Sequence, residues 1–565
     1  MEYNVCKDEA SLYFGDEKIA EFVPEVRSRT VLLSANISET TGEHERLKTI
    51  LNIDFTYIRH GESCSISEEL DIKRLSKTKF YELHPDLYAI SDSAVANYII
   101  SQVREADVHY KYMFDTMGWN EIQGRHVFVA GDGLIGDLGD LEYEITNDLK
   151  KLYFRIDEGI SEDQAVRAMW DIMVCLLEHN HWLLVLVVIY IIASYDRQLL
   201  KDAGYMVKMV MYMAAASMSG KTTFTTTFGC PLQTSNGALC NYTRVSSTAA
   251  AVESDIEKYK DMPFIYDDLY RDDRSIMKKI EEHVKQILRS HADGVVRNKK
   301  GGGHDINANL MLIGEYLING ISNIGRMLII QLDSKIDSRI LTLIEYHKDD
   351  IMAFSYYYIK WLASNYSGLV EWIKHEIKEY RYQYRDGGNI SRDYDKALYV
   401  QLITEMLFKF FLDKLFVKSN PELPNKAIWA KDIVMQGWKK LLESNYELLE
   451  KKRQEDAIAK NPNYSKILYD LMQNETVKVG KKGSDFFKKA YKGHKCYYIR
   501  SQYFCSLIIE HTGMAVSPKA LVEYFRIRDI AIFGSDDRVV QYKGNKKRYL
   551  VLKKAKLKAD AETNT

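Results

Sequence analysis

Nine residues, AASMSGKTT at 215–223, constrain the fold around them more than any other part of the chain. The run before them, YMVKMVMYMA at 205–214, has the length and apolar character of a buried strand, and SGKTTFTTTFG at 219–229 opens a helix. A strand that turns through small residues into a helix leaves backbone N–H groups converging on one point, which suits an anion. Gly220, Lys221 and Thr222 match the end of the pattern G-x-x-x-x-G-K-[ST], with Ala215 where the first Gly belongs. Ala215 and Ser219 help keep the loop compact. Lys221 is placed to neutralise β- and γ-phosphates, Thr222 to ligate Mg²⁺ through its hydroxyl, and Thr223 to lie in the first helical turn. If the position of Ala215 needs positive φ, alanine weakens the match.

Three later segments extend the pattern. FIYDD ends a strand at 262–268 in two acids, some 45 residues after the loop. Asp267 is placed to hold Mg²⁺, and Asp268 to polarise an attacking water; the bland reading is that both leave the sheet for solvent and cap the next helix. NLMLIGE at 309–315 brings Glu315 to the C-terminal end of a third strand, where ligands sit in doubly wound sheets. Arg326 opens a fourth strand, RMLIIQLD at 326–333. It can reach a neighbouring subunit's γ-phosphate as an arginine finger, or pair with an internal carboxylate. An amphipathic helix, SIMKKIEEHVKQILRS at 275–290, fills the gap between the second and third strands. This strand-helix alternation predicts an α/β core.

At 565 residues the chain is too long for one core, so two to four domains are expected. The segments divide it into an α+β domain of unassigned role over 1–110, a strand-rich then helical region over 111–200, the phosphate-loop core over 201–340, a helical lid or collar over 341–475, and a basic segment with a winged-helix-like unit over 476–565. The last unit is suggested by SPKALVEYFR from Ser517, followed by a two-strand pattern turning at Gly544–Asn545. The apolar run WLLVLVVIYIIA, 182–193, has twelve residues, too few to span a bilayer, so a buried helix and no membrane are expected. The N-terminus does not read as a signal peptide, and seven Cys without metal spacing read as reduced thiols in the cytoplasm.

A net charge of -2 neither suggests nor excludes nucleic acid, because local patches decide. Arg297, Lys299 and Lys300 precede three glycines and His304, a basic tip suited to gripping phosphate backbone or, equally, a solvated turn. Lys543, Lys546 and Lys547 form a second tip, on the C-terminal two-strand pattern, which suits duplex backbone or protein docking. RHGE at 59–62 resembles a histidine-phosphatase start but lacks its partners, and His179 and His181 lack a metal-ligand pattern.

GWNEIQGRHVFVAGDGLIGD at 118–137, SGKTT, FIYDD, the glycine-rich basic loop, LIGE at 312–315 and IGRMLIIQL at 324–332 occur in an order that resembles the DUF927-like ATPases. These are similar to proposed replicative helicases of staphylococcal cassette elements and to primase-helicases of phages and plasmids. The resemblance covers roughly 110–385. It implies an AAA+-like or superfamily-3-like motor: a hexameric ring with ATP and Mg²⁺ between subunits and single-stranded or forked DNA in the channel, working beside other replication proteins of a mobile element. It would place Lys221, Thr222, Asp267 and Asp268 in the cis site, Arg326 in trans, and 297–304 in a pore hairpin. Ala215 for Gly, Asp268 for the usual Glu, and no obvious polar sensor near Glu315 are departures. The alternatives are a DNA-associated ATPase switch or loader without unwinding, and a DNA-binding scaffold with a degraded ATP site.

Overall fold

Val210–Ala215 and Asn309–Gly314 are buried at every residue, and Met327–Leu332 at its first four. Runs without polar alternation belong to strands covered on both faces, the habit of parallel sheets. The computed structural model describes residues 2–37, 41–154, 159–244, 258–269, 274–293, 308–317, 320–383, 392–415, 423–460, 463–534, 539–542 and 547–562, with single residues 252 and 256. It divides into two compact units, Met1–Tyr446 and Glu447–Thr565.

The centre of the first unit is a five-stranded sheet. Its elements are β1 (Val210–Ala215), α1 (Lys221–Gly229), β2 (Tyr242–Arg244), β3 (Pro263–Leu269), α2 (Arg274–Asp293), β4 (Asn309–Gly314), β5 (Met327–Leu332) and α3 (Ser338–Tyr346). The order is β2-β3-β4-β1-β5 and every neighbouring pair is parallel. One strand, β4, therefore stands between the strand of the phosphate loop and the strand of the paired acids. The expected strand over 205–214 begins only at Val210; ahead of it the Val207 carbonyl accepts from the buried Arg197 guanidinium (3.4 Å). The helix Trp182–Ile192, apolar all round, lies buried. Its Tyr190 hydroxyl donates to Leu310 O at 2.8 Å, and Asn309 Nδ2 returns a bond to Tyr190 O at 3.0 Å. Among the described residues no helix is long and apolar enough to cross a membrane.

The N-terminal part is α+β. Strands Phe22–Ile37, His44–Arg59, Glu62–Asp71, Asp107–Phe114 and Glu142–Ile145 form one sheet, with helix Asp92–Gln102 joining a core of Phe22, Leu51, Ile53, Phe55, Val95 and Ile99. The boundary expected at residue 110 falls inside strand Asp107–Phe114, and the sheet continues to Ile145.

Gly118–Ile122, Arg125–Ala130 and Gly133–Ile135 form a separate antiparallel sheet. Trp119 anchors it at the root of β3. Its backbone N–H donates to the buried Asp261 carboxylate (3.1 Å), its Nε1 to Tyr195 O (2.8 Å), and its ring meets Phe128 and Tyr366 edge-on. At Gly118 a Cβ would lie 2.2 Å from Lys260 O, so only glycine permits this approach. Trp119→Ala is expected to cost about 3–5 kcal/mol of stability, read as a fall in the first unit's unfolding transition.

Three helices, Lys348–Gln383, Arg392–Leu415 and Leu423–Lys460, follow α3. Asn445 seals the free edge of β5: its Oδ1 accepts from Ile329 N (2.7 Å) and its Nδ2 donates to Ile329 O (2.8 Å). The helical region expected as one piece to residue 475 is divided at Tyr446. Leu468 and Leu471 of helix Tyr464–Gln473 belong to the second unit's core, with Phe504, Leu521 and Phe525.

In the second unit the sheet order is Phe486–Tyr491, His494–Ile499, Arg548–Lys553, Ala531–Ile532, and Val540–Gln541 pairs antiparallel with Arg548–Lys553. Helix Pro518–Ile527 starts with Ser517 as N-cap, its hydroxyl accepting from Ala520 N (3.1 Å), and with Pro at the first turn.

Candidate functional site

The loop between β1 and α1 bends at two left-handed residues, Met218 (φ 56°) and Gly220 (φ 83°). Ala215 is not one of them. It is the last residue of β1, extended and in register with Leu332. The missing first glycine therefore carries no conformational cost, and the strain expected there falls on Met218, at roughly 1–2 kcal/mol for a side chain in this region. The Met218 side chain is 86 % exposed. A Cβ at Gly220 would lie 2.8 Å from Leu341 Cδ1 of α3, so that side chain would have to shift. The segment before α3 clamps the loop from the same side, Ile336 N donating to Ser219 O at 2.9 Å.

Lys221, 8 % exposed, curls back so that Nζ donates to Ala216 O at 3.2 Å. Ser219 is 2 % exposed and its Oγ has no hydrogen-bond partner among the described residues. Gly220 caps α1 without a side-chain bond, leaving the first-turn N–H groups, those of Thr222 and Thr223 among them, for an incoming anion. An orphaned buried hydroxyl, a folded-back ammonium and a glycine-capped helix start fit the polyphosphate of ATP.

Asp267, 5 % exposed, sits on β3 directly across from the loop. Its Oδ2 accepts from Thr222 Oγ1 at 2.8 Å and from Tyr242 Oη at 3.1 Å. This donor set is all hard oxygen, as Mg²⁺ requires. Among the described residues no group of three or more His, Cys, Asp or Glu could hold a metal, so a cation here would depend on phosphate and water for its remaining ligands. The residues present fit Mg²⁺ in that mode.

Asp268 follows in β3, at a register irregularity against β4 between Tyr266 and Leu269; its side chain lies outside the described part. Glu315 follows β4. Ala214 is in register with Gly314, which puts Glu315 beside Ala215 at the same edge of the sheet. Tyr212 fixes the turn there by donating to Tyr316 O, and burial pushes its hydroxyl pKa well up, so it stays a donor. Ala215, Lys221, Thr222, Asp267 and Glu315 thus gather at the C-terminal strand ends.

Arg326 is not among them. It precedes Met327, which is in register with Val210, the first residue of β1. A six-residue strand spans roughly 20 Å, so Arg326 stands at the far edge from its own phosphate loop. Its Nη1 donates to Ser322 O at 3.0 Å and to Ser322 Oγ. A role on the phosphates of its own chain is excluded by this placement.

Arg297, Lys299, Lys300 and His304 lie outside the described residues, as do Lys543 and Lys546. The flanks of the first group are held together: His291 Nε2 and Ala308 O are 2.8 Å apart, and burial pushes the imidazole down to about 3, so it donates as a neutral ring. Both flanks meet at the edge where β4 begins, away from the phosphate loop. At the second tip Tyr542 N donates to Lys547 O at 2.8 Å, closing the base of the hairpin, and Lys547 is exposed. Sequence reasoning missed Tyr242, because β2 has only three residues and no periodicity to reveal it.

No family model matches the chain, and no curated protein does. Among solved structures it is similar to one titled "SCCmec type IV Cch - active helicase", at 14 % identity and a TM-score of 0.49, over 98 % of each chain.

Proposed function

We propose that the chain is an ATP-driven DNA helicase of a mobile genetic element, working in the cytoplasm as a ring of identical subunits. One observation carries the reading most. The hydroxyl of Thr222 on the loop and the carboxylate of Asp267 on a strand two places away meet at 2.8 Å, at the mouth of a glycine-capped helix. A chance Gly-Lys-Thr has no reason to be matched by an acid at that point. The parallel order, with one strand between loop strand and acid strand, supports an AAA+-like core. The hairpin pairing of Val540–Gln541 with Arg548–Lys553 beside helix Pro518–Ile527 supports a winged-helix-like end.

In this reading Lys221 leaves Ala216 O for the β- and γ-phosphates. Thr222 presents an oxygen lone pair while its O–H continues to donate to Asp267. Bound Mg²⁺ supplies charge neutralisation on the phosphate oxygens. Asp268 takes the proton of the attacking water and Glu315 orients that water. Arg326, remote from its own loop, serves the neighbour's nucleotide. Arg297, Lys299, Lys300 and His304 grip DNA backbone, with Lys543, Lys546 and Lys547 as a second contact.

Steady-state ATP hydrolysis with and without single-stranded and forked DNA tests this. Stimulation by DNA, lost when Lys299 and Lys300 are both replaced by Ala, and strand separation on a fork are the expected results. Slow, DNA-independent turnover would instead assign a switch or loader, and failure to bind ATP with DNA affinity retained would assign a scaffold.

A further inference from the structure

The geometry points to Tyr242 as a positioning residue for Mg²⁺, acting through Asp267; this rests on the reading of the loop as a Mg·ATP site. β2 is short, yet its first residue is rigidly placed. The preceding residue, Asn241, is fully buried, and its Nδ2 donates to Gly229 O at the end of α1 and to Pro263 O (2.8 Å) at the start of β3. Its own carbonyl accepts from Ile265 N at 3.0 Å. Three bonds thus tie the foot of β2 to both elements that carry the metal-binding groups, Thr222 on α1 and Asp267 on β3. The Tyr242 ring packs against Cys230, Ile265 and Ile313, in a small core beneath the site. Its hydroxyl emerges 3.1 Å from Asp267 Oδ2.

Thr222 and Tyr242 therefore donate to the same carboxylate oxygen. Two donors on one oxygen fix the plane of the carboxylate, and a planar anion held in one orientation presents its remaining lone pairs in one direction. Thr222 is also a metal ligand in the proposed site, so its bond is shared between two tasks. The phenol is not a metal ligand in that site. It holds Asp267 in place whether or not Thr222 is engaged, which is the part played by outer-shell partners in metal sites, where their loss costs about 10–100-fold in metal affinity or activity.

Tyr242→Phe removes the hydroxyl and keeps the ring in its apolar seat. Binding of a fluorescent ADP analogue is titrated with Mg²⁺, alongside ATP hydrolysis over the same range. The Mg²⁺ concentration for half-maximal response is expected to rise about tenfold or more in both. Nucleotide binding in EDTA is expected to be unchanged, and Mn²⁺, which binds oxygen and nitrogen sites more tightly, to recover most of the loss. In an Asp267→Asn background the effect of Tyr242→Phe on the Mg²⁺ midpoint is expected to vanish, because the hydroxyl acts through that carboxylate. A merely structural phenol would lower the unfolding midpoint and leave the Mg²⁺ titration where it was, which overturns the inference, as does a Tyr242→Phe chain that does not fold. A wild-type chain whose nucleotide binding ignores Mg²⁺ overturns the reading of the site itself. Wild-type Mg²⁺ dependence that Tyr242→Phe does not move overturns only the role of Tyr242.

Discussion

Lys221→Ala is expected to lower ATP hydrolysis by about 10²–10³-fold, the range seen when one preorganised donor to developing charge is removed. The structure says why the loss should be confined to function. Lys221 Nζ has a carbonyl of the loop itself, Ala216 O at 3.2 Å, as its hydrogen-bond partner, not a carboxylate of the core. Removing the ammonium leaves that carbonyl at an exposed residue, where water replaces the bond. The unfolding midpoint without nucleotide should therefore stay close to wild type while phosphate release collapses. A variant that still turns over ATP at more than a tenth of the wild-type rate would mean that the phosphates lie elsewhere.

Arg326→Ala should do as much or more. A trans-acting arginine is worth about 10³–10⁵ in turnover, and Arg326 stands at the strand edge opposite its own loop. The decisive form is a mixture. Lys221→Ala subunits lack a working loop and keep the arginine; Arg326→Ala subunits have the reverse. If the site is completed by a neighbour, mixing two inactive proteins restores a measurable fraction of activity, since some interfaces pair an intact loop with an intact arginine. Activity in a wild-type preparation that remains monomeric under ATP would contradict a shared site, and so would a mixture no more active than its parts.

Much of the central sheet was legible because a parallel strand buried on both faces cannot hide. NLMLIGE exceeds β4 by one residue at its C-terminal end, the polar Glu315, and RMLIIQLD exceeds β5 by one at each end, Arg326 and Asp333. The turn from β1 into α1 was legible for a different reason: small residues and a glycine between an apolar run and a helix start leave few other conformations. The doubt over Ala215 came from assigning backbone conformation by pattern position. Only the register with Leu332 shows that residue to be ordinary strand, and the strain to lie at Met218. Tyr242 was illegible on any pattern. Its bond to Asp267 joins residues 25 apart through a strand of three, and a lone aromatic in NYTR carries no period. The boundary at 446 was hidden too, because helix Leu423–Lys460 runs through it without a break in composition.

The side chain of Asn445 has a consequence for how copies of this chain meet. By satisfying both polar groups of Ile329 it imitates a neighbouring strand with a single amide, and so denies another polypeptide that position on the sheet. The edge strand that follows Arg326 is thus blocked to backbone pairing at Ile329. In the proposed ring, subunits meeting near it would be held there by side chains such as Arg326 rather than by a strand ladder. A contact of that kind could loosen and re-form with each nucleotide exchanged, whereas a continuous inter-subunit ladder would lock such a ring in one state.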